Sequence, residues 1–164
     1  TIFPGHVSNF HLHHVAALAI TLAETQAFGR AYAEATIANA RALAAGLAAR
    51  GLSVQTIAPH TDSHQVWLDV TDVATPDEAV ERLHAANLIA NVNLLPTLRA
   101  KGLRLGTPEV TRLGMREREM DEIAGLMHAA LTHTRAIEDV RTDARALAAR
   151  FREIAYAFPG DLVA

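Results

Sequence analysis

Residues 102–108 are Gly102-Leu103-Arg104-Leu105-Gly106-Thr107-Pro108, a strand-like pattern that ends at a proline. Period-two alternation puts Leu103 and Leu105 on one face of a strand and Arg104 on the other. The two flanking glycines would leave room for a ligand against the guanidinium of Arg104, whose planar fork suits bidentate binding of a carboxylate or phosphate. An arginine paired with an internal Asp or Glu would show the same pattern, so the motif by itself leaves both interpretations open.

Around this strand, the hydrophobic pattern predicts a mixture of helices and strands. Helical spacing predicts a helix over about 10–24 and an Ala-rich second helix that ends near Arg50, where Gly51 can take the left-handed cap conformation. Alternation predicts strands over 52–57 and 65–70 and a short strand over 88–90. A capping box at Thr75 and Glu78 predicts a helix that ends near Asn87. Two further helices are predicted, one carrying Met120 to Leu131 and the other Leu147 to Ile154. This order predicts an α+β fold, a small antiparallel sheet with helices on one face.

Composition restricts the class of protein. The chain has 164 residues, which suits one domain, with 15 Lys+Arg, 18 Asp+Glu, nine His and no Cys. A net charge of −3 gives no electrostatic reason to expect nucleic acid or a membrane surface as partner. No apolar run approaches the roughly 20 residues of a membrane span. Absence of Cys excludes thiolate chemistry and favours a cytoplasmic location. Lys101 is the only lysine.

The N-terminal segment contains a second concentration of polar groups. A turn at Phe3-Pro4-Gly5 leads towards a helix start with Ser8 and Asn9. Free amides at a helix start bind anions, although Ser8 or Asn9 could equally be a simple N-cap. The nearby histidines could suggest a metal site; they are His6, His11, His13 and His14, with His60 and His64 further along. No established ligand spacing is present, so we expect no metal, and His64 is expected to orient a neighbour by hydrogen bonding.

Several motifs occur in a fixed order along nearly the whole chain. They are Phe3-Pro4-Gly5, His13, Asn39-Ala40, Thr61-Asp62-Ser63-His64, Ala86-Asn87, Asn91-x-Asn93-x-x-Pro96 and Gly102-Leu103-Arg104-Leu105-Gly106-Thr107-Pro108-x-x-Thr111-x-x-Gly114. This set resembles the C-terminal part of serine hydroxymethyltransferase and its relatives, the pyridoxal phosphate (PLP) enzymes of fold type I. The resemblance implies that residues 1–48 are helical, complete a large PLP-binding domain otherwise missing from the chain and link it to residues 49–164, the small α+β domain.

The resemblance also implies roles for single residues. Arg104 matches the arginine that binds the carboxylate of the amino-acid substrate. Ser8 and Asn9 stand where the family has a Gly-Gly pair whose backbone reaches the PLP phosphate of a neighbouring subunit. His13 matches a histidine of the following helix, and Asn93 matches an asparagine at the folate site. His64 is a further supporting candidate. The loop from Pro96 to Gly102 is shorter than in the family, which implies folate-independent aldolase or transaldolase chemistry.

The family's PLP-binding lysine precedes the Phe-Pro-Gly motif, and Lys101 does not match its position. We therefore expect the C-terminal chain of a split enzyme, with PLP held mainly by a partner chain that carries the lysine, in an oligomer whose subunits share a site. The expected reaction is Cα–Cβ cleavage or transfer on glycine, serine, threonine or related β-hydroxy amino acids. Alternatives are a folate-dependent hydroxymethyltransferase in two pieces, a non-catalytic subunit that completes a partner enzyme, and a metal-binding domain.

Overall fold

The computed structural model describes residue 9 and residues 11–55, 61–96 and 100–159. The chain forms two compact units, one of Tyr32–Ala155 and one of Thr1–Ala31 with Tyr156–Ala164. The elements in chain order are α1 (Leu12–Ala49), β1 (Ser53–Gln55), β2 (Gln65–Asp69), α2 (Pro76–Ala85), β3 (Asn91–Leu94), β4 (Lys101–Gly106), α3 (Pro108–Arg112), α4 (Glu117–Thr132) and α5 (Ile137–Ala149). This order confirms the predicted α+β class.

Residues Leu12–Ala49 form one continuous helix of 38 residues, α1, whereas two helices were predicted here. The predicted break was wrong because nothing between residues 24 and 31 stops a helix: there is no proline, and a single interior glycine costs only about 1 kcal/mol. The predicted end is confirmed, since α1 stops at Ala49 and Gly51 has a φ of +82°. In the described ranges, neither this helix nor any other is both long and apolar enough to cross a membrane.

The four strands form one antiparallel sheet in the order β1-β2-β4-β3. The prediction of a strand over 88–90 was wrong, because pairing with β4 determines where this strand lies. Asn91 is the residue that pairs with Arg104, so the strand begins at Asn91 and ends at Leu94. The pattern of residues 88–90 is apolar because Leu88 and Ala90 pack against the core from a loop.

One face of the sheet is covered by helices, as predicted. The side chains of Val66, Leu68, Leu103 and Leu105 are buried on that face. The helices contribute buried side chains to the same hydrophobic cluster, among them Leu83 of α2, Met120 and Leu131 of α4, and Leu147 of α5. The last helix ends at Ala149, before the predicted Ile154, and the short helix α3 was not predicted.

Helix α2 begins at the predicted capping box. The backbone N–H of Thr75 donates to Glu78 Oε2 at 3.0 Å, and the Thr75 hydroxyl lies 2.7 Å from the same oxygen. The backbone N–H of Glu78 donates in return to Thr75 Oγ1 at 3.4 Å. The hydrogen bond from the Thr75 side chain is the main reason that the pKa of Glu78 lies below its usual value.

We expect Thr75→Ala to weaken the start of α2 by about 1 kcal/mol, the usual worth of a helix cap. In the same variant the pKa of Glu78 should rise towards its ordinary value. A lowered folded-state pKa stabilises the fold above the unfolded-state pKa, and this contribution is lost as pH falls through the lowered value. NMR titration of Glu78 measures the effect, with Thr75→Ser as the control that keeps the hydroxyl and the low pKa. An unchanged Glu78 pKa in Thr75→Ala would show that the cap does not act on it.

Candidate functional site

Arg104 lies in the interior of β4 and has direct partners on both sides. It pairs with Trp67 of β2 and with Asn91 of β3, and Trp67 pairs in turn with Gln55 of β1. Directly paired residues of an antiparallel sheet project to the same face. We call these four residues, Gln55, Trp67, Arg104 and Asn91, the polar row. Because Leu103 and Leu105 are buried against the helices, the polar row lies on the opposite face, which we call the polar face.

The guanidinium of Arg104 is available for a ligand. Arg104 is half-buried, and no residue in the described ranges forms a hydrogen bond or an ion pair with its side chain. Charge-assisted bidentate bonding to a carboxylate is the strongest interaction that such a side chain can make. Among the described residues, the alternative of an internal ion pair for Arg104 is therefore not found.

Two other arginines, Arg50 and Arg150, use their side chains for structure. Arg50 donates to Asp121 at 2.6 Å, and this hydrogen bond is the main reason that the pKa of Asp121 lies below its usual value. Arg150 donates to Glu122 at 2.9 Å. The contrast distinguishes Arg104 from arginines that connect one helix to another.

The two glycines beside Arg104 have different reasons to be glycine. A Cβ on Gly102 would lie 2.6 Å from the backbone oxygen of Leu68 and 2.6 Å from Cδ1 of Leu95, whose side chain is fully buried. Among the described residues, a Cβ on Gly106 would meet only Pro108 Cδ, at an ordinary 3.6 Å. The expectation that both glycines leave room for a ligand is therefore corrected at Gly102, where close packing fills the space.

The end of β4 is fixed to α1 by a chain of buried hydrogen bonds. Thr107 Oγ1 donates to the backbone oxygen of Thr36 at 2.9 Å, and Thr111 Oγ1 donates to the backbone oxygen of Thr107 at 2.6 Å. Asn39 Nδ2 donates to Thr111 Oγ1 at 2.8 Å and to the backbone oxygen of Met115 at 3.0 Å. Asn39, Thr107 and Thr111 belong to the sequence motifs, but their types and spacing predict no role for them. Their role is to hold the strand that carries Arg104.

The segment before β2 is also fixed to α1. Arg41 Nε donates to the backbone oxygen of Thr61 at 2.9 Å, and the Arg41 guanidinium forms an ion pair with Asp62. His64 is exposed, and its Nε2 lies 3.3 Å from Nε2 of Gln65, its neighbour in sequence. The backbone oxygen of His64 accepts from Thr107 N at 3.1 Å, which extends the pairing of β2 with β4 by one residue.

Of the other candidate residues, the structure brings Asn93 to the polar face. It pairs with Gly102, next to the polar row, and its Oδ1 accepts from Leu94 N at 2.8 Å. Lys101 pairs with Leu94 and lies three residues before Arg104, so the two side chains project to opposite faces. Lys101 therefore does not belong to the polar face.

The N-terminal candidates belong to the smaller unit and are described by themselves. Ser8, His6 and His60 lie outside the described residues, whereas Asn9 is described and exposed. The ring of His13 is exposed and has its centroid 4.2 Å from that of His14 and 5.6 Å from that of His11. Within the described ranges, no three His, Asp or Glu side chains are placed to bind a metal ion.

Comparison with known proteins gives a consistent result. Residues 1–127 match the sequence profile of the serine hydroxymethyltransferase family. The chain is 44% identical over 166 residues to serine hydroxymethyltransferase of Methanopyrus kandleri, covering 96% of this chain and 38% of the relative. It is 46% identical over 167 residues to that of Korarchaeum cryptofilum, covering 95% of this chain and 38% of the relative.

A solved structure is similar as well. The crystal structure of L-threonine transaldolase from Pseudomonas fluorescens aligns with a TM-score of 0.81 at 26% identity, over 88% of this chain and 35% of that one. The chain thus spans well under half the length of these relatives. Because the family profile matches most of its residues, the chain belongs to the serine hydroxymethyltransferase family.

Proposed function

We propose that this chain is the C-terminal, substrate-binding part of a PLP enzyme that breaks or forms the Cα–Cβ bond of β-hydroxy amino acids such as serine and threonine. The observation that carries the proposal is the guanidinium of Arg104, which lies on the polar face without a partner in the described ranges. Two parallel charge-assisted hydrogen bonds from this group would hold the substrate carboxylate. Holding the carboxylate fixes the orientation of the bonds at Cα. Arg104 would thus contribute to the reaction by positioning the substrate.

The polar face fits the substrate better than it fits the whole cofactor. PLP supplies an electron sink for chemistry at Cα when it is bound. Arg104 suits the substrate carboxylate, but Lys101 projects away from the polar face. We therefore propose that the lysine that binds PLP, and most of the cofactor pocket, come from outside these 164 residues. Ser8 and Asn9 stay predicted contacts of the PLP phosphate, and His13 stays a predicted supporting residue.

A separate partner polypeptide is our proposal for the source of that lysine, in a hetero-oligomer with a shared site. Native mass analysis of the purified protein tests it. We expect a co-purifying chain with a borohydride-reducible PLP lysine. Detection of the PLP lysine in the same polypeptide as Arg104 would contradict the proposal of a separate partner chain. It would leave the proposed role of Arg104 unchanged.

We propose folate-independent aldolase or transaldolase chemistry. In support, the connection from β3 to β4 is only residues 95–100, and Leu95 N donates to the backbone oxygen of Ala100 at 2.7 Å. A connection of this length leaves few residues that could contact a folate. The structural relative is named an L-threonine transaldolase. The relatives from Methanopyrus kandleri and Korarchaeum cryptofilum are named serine hydroxymethyltransferase, and these names favour the alternative, a hydroxymethyltransferase.

Turnover of L-threonine and L-serine by the complete enzyme, with and without tetrahydrofolate, distinguishes these functions. We expect release or exchange of the aldehyde without folate and no stimulation when folate is added. Serine cleavage that requires folate would favour the hydroxymethyltransferase. An assembled, PLP-containing complex in which Arg104→Gln changes neither amino-acid binding nor turnover would favour a non-catalytic role for this chain.

A further inference from the structure

Trp67 is the only tryptophan of the chain, and it is the direct cross-strand partner of Arg104. Its neighbours Val66 and Leu68 are buried on the helix-covered face, whereas Trp67 projects to the polar face and is half-buried. Its side chain takes no part in the buried hydrophobic cluster. The packing of this unit's core therefore does not account for a tryptophan at this position.

The indole N–H of Trp67 is a second hydrogen-bond donor on the polar face, carried by the residue that pairs with Arg104. No residue in the part of the chain that the structure describes accepts a hydrogen bond from it. It is also not among the described side-chain polar atoms that are buried without a hydrogen-bond partner, such as Thr36 Oγ1 and Asn39 Oδ1. The indole N–H thus keeps access from the polar face.

Two donors on directly paired residues are suitably spaced for one carboxylate. The Cβ atoms of such a pair lie about 4.5–5.5 Å apart, so the two side chains can reach the same small ligand. A carboxylate has two oxygens and about four acceptor positions, more than one guanidinium uses. Tryptophan also supplies a broad, rigid apolar surface at one end of which a polar group can bind.

The free side of Arg104 limits where the ligand can lie. Leu95 fills the space at Gly102, whereas at Gly106 the part of the chain that the structure describes places only Pro108 Cδ at van der Waals distance. A ligand on Arg104 therefore lies towards Gly106 and stays within reach of the paired Trp67. A ligand in this position would have the guanidinium of Arg104 beneath it and the indole of Trp67 at its side.

We infer that Trp67 is a second substrate-binding residue, whose indole N–H donates to the carboxylate held by Arg104 and whose ring forms one wall of that subsite. This inference rests on the proposed role of Arg104 and adds to it a residue that the family motif does not include. The ligand class is an α-amino acid with a free carboxylate. A carboxamide in its place loses the second acceptor oxygen.

The test is Trp67→Phe in the complete holoenzyme, because phenylalanine keeps an aromatic wall and removes the donor. We expect KM for the amino-acid substrate to rise about fivefold, the effect of one net hydrogen bond, with kcat nearly unchanged. In an Arg104→Gln background the same substitution should have much less effect, since paired contacts to one ligand are not additive. Ile89→Ala is the control, because Ile89 is 81% exposed in the loop before β3 and should leave KM unchanged.

Fluorescence measured with and without substrate distinguishes substrate binding by Trp67 from a purely structural role. The emission of Trp67 is obtained by subtracting the emission spectrum of Trp67→Phe from that of the wild type. We expect this difference spectrum to change when the amino acid is added. A Trp67→Phe enzyme with unchanged KM and no substrate-dependent difference emission overturns the inference, whether or not its thermal stability falls. If Arg104→Gln raises KM in the same experiment, only the role of Trp67 fails. If Arg104→Gln also leaves KM unchanged, the proposed function itself fails.

Discussion

We expect Arg104→Gln to lower kcat/KM for the amino-acid substrate by about 10- to 150-fold. This factor corresponds to the loss of a charged hydrogen bond worth about 1.5–3 kcal/mol. The loss follows from removing the group that holds the substrate carboxylate. The fold should stay intact, because no described residue depends on the Arg104 side chain for a hydrogen bond or an ion pair. Steady-state kinetics of the complete enzyme, together with its thermal unfolding midpoint, measure both parts of this prediction.

The matched control is Arg118→Gln. The side chain of Arg118 is 84% exposed on α4, and its one ion pair among the described residues is a long surface contact of 3.6 Å with Glu122. Such pairs contribute little, so the same chemical change at this position should leave kcat/KM and stability nearly unchanged. Near-normal kinetics in Arg104→Gln would remove Arg104 from the substrate site. A large loss of stability in that variant would instead assign it a structural role.

Gly102→Ala is expected to have the largest effect on stability. The added Cβ would lie 2.6 Å from the backbone oxygen of Leu68, on the neighbouring strand of the same sheet, and 2.6 Å from the buried side chain of Leu95. Neither group can move without separating β2 from β4 or opening the packing of Leu95. We expect a loss of about 2–3 kcal/mol in the free energy of unfolding, as for other overpacked sites. Activity should fall as well, because the displaced strand carries Arg104.

Gly106→Ala provides the control on the other side of Arg104. Its added Cβ would find Pro108 Cδ at 3.6 Å and its φ lies outside the left-handed region, so stability should change by no more than about 0.5 kcal/mol. Chemical denaturation of both variants gives the comparison. Equal unfolding free energies for Gly102→Ala and Gly106→Ala would contradict the close packing at Gly102.

Local patterns in the sequence predicted the elements whose causes are local. Alternation identified β2 and β4, and the capping box identified the start of α2, because each depends on side chains within a few residues. The break predicted in α1 was wrong because a change of apolar pattern is not a stop signal in an Ala-rich helix. The position of β3 could not be predicted from its own residues, since pairing with β4 determines it.

The candidate site shows the same division. Arg104 was identified from its motif, whereas Trp67 looked like any outward residue of a half-buried strand. Only the register places Trp67 opposite Arg104, and register is a property of two strands rather than one. The packing of Leu95 over Gly102 and the hydrogen bonds of Asn39 likewise join residues that are distant in sequence. Ser8 lies outside the described residues, and the roles of Ser8, Asn9 and His13 at the cofactor stay predictions.

In our proposal, Arg104 recognises the carboxylate of an amino-acid substrate. The most direct measurement compares kcat/KM for L-serine or L-threonine with kcat/KM for the corresponding amino-acid amide, in wild type and in Arg104→Gln. We expect wild type to prefer the acid strongly and Arg104→Gln to lose most of that preference, because the variant no longer carries the charge that distinguishes the two ligands. An acid-to-amide preference that is the same in both enzymes would contradict the claim.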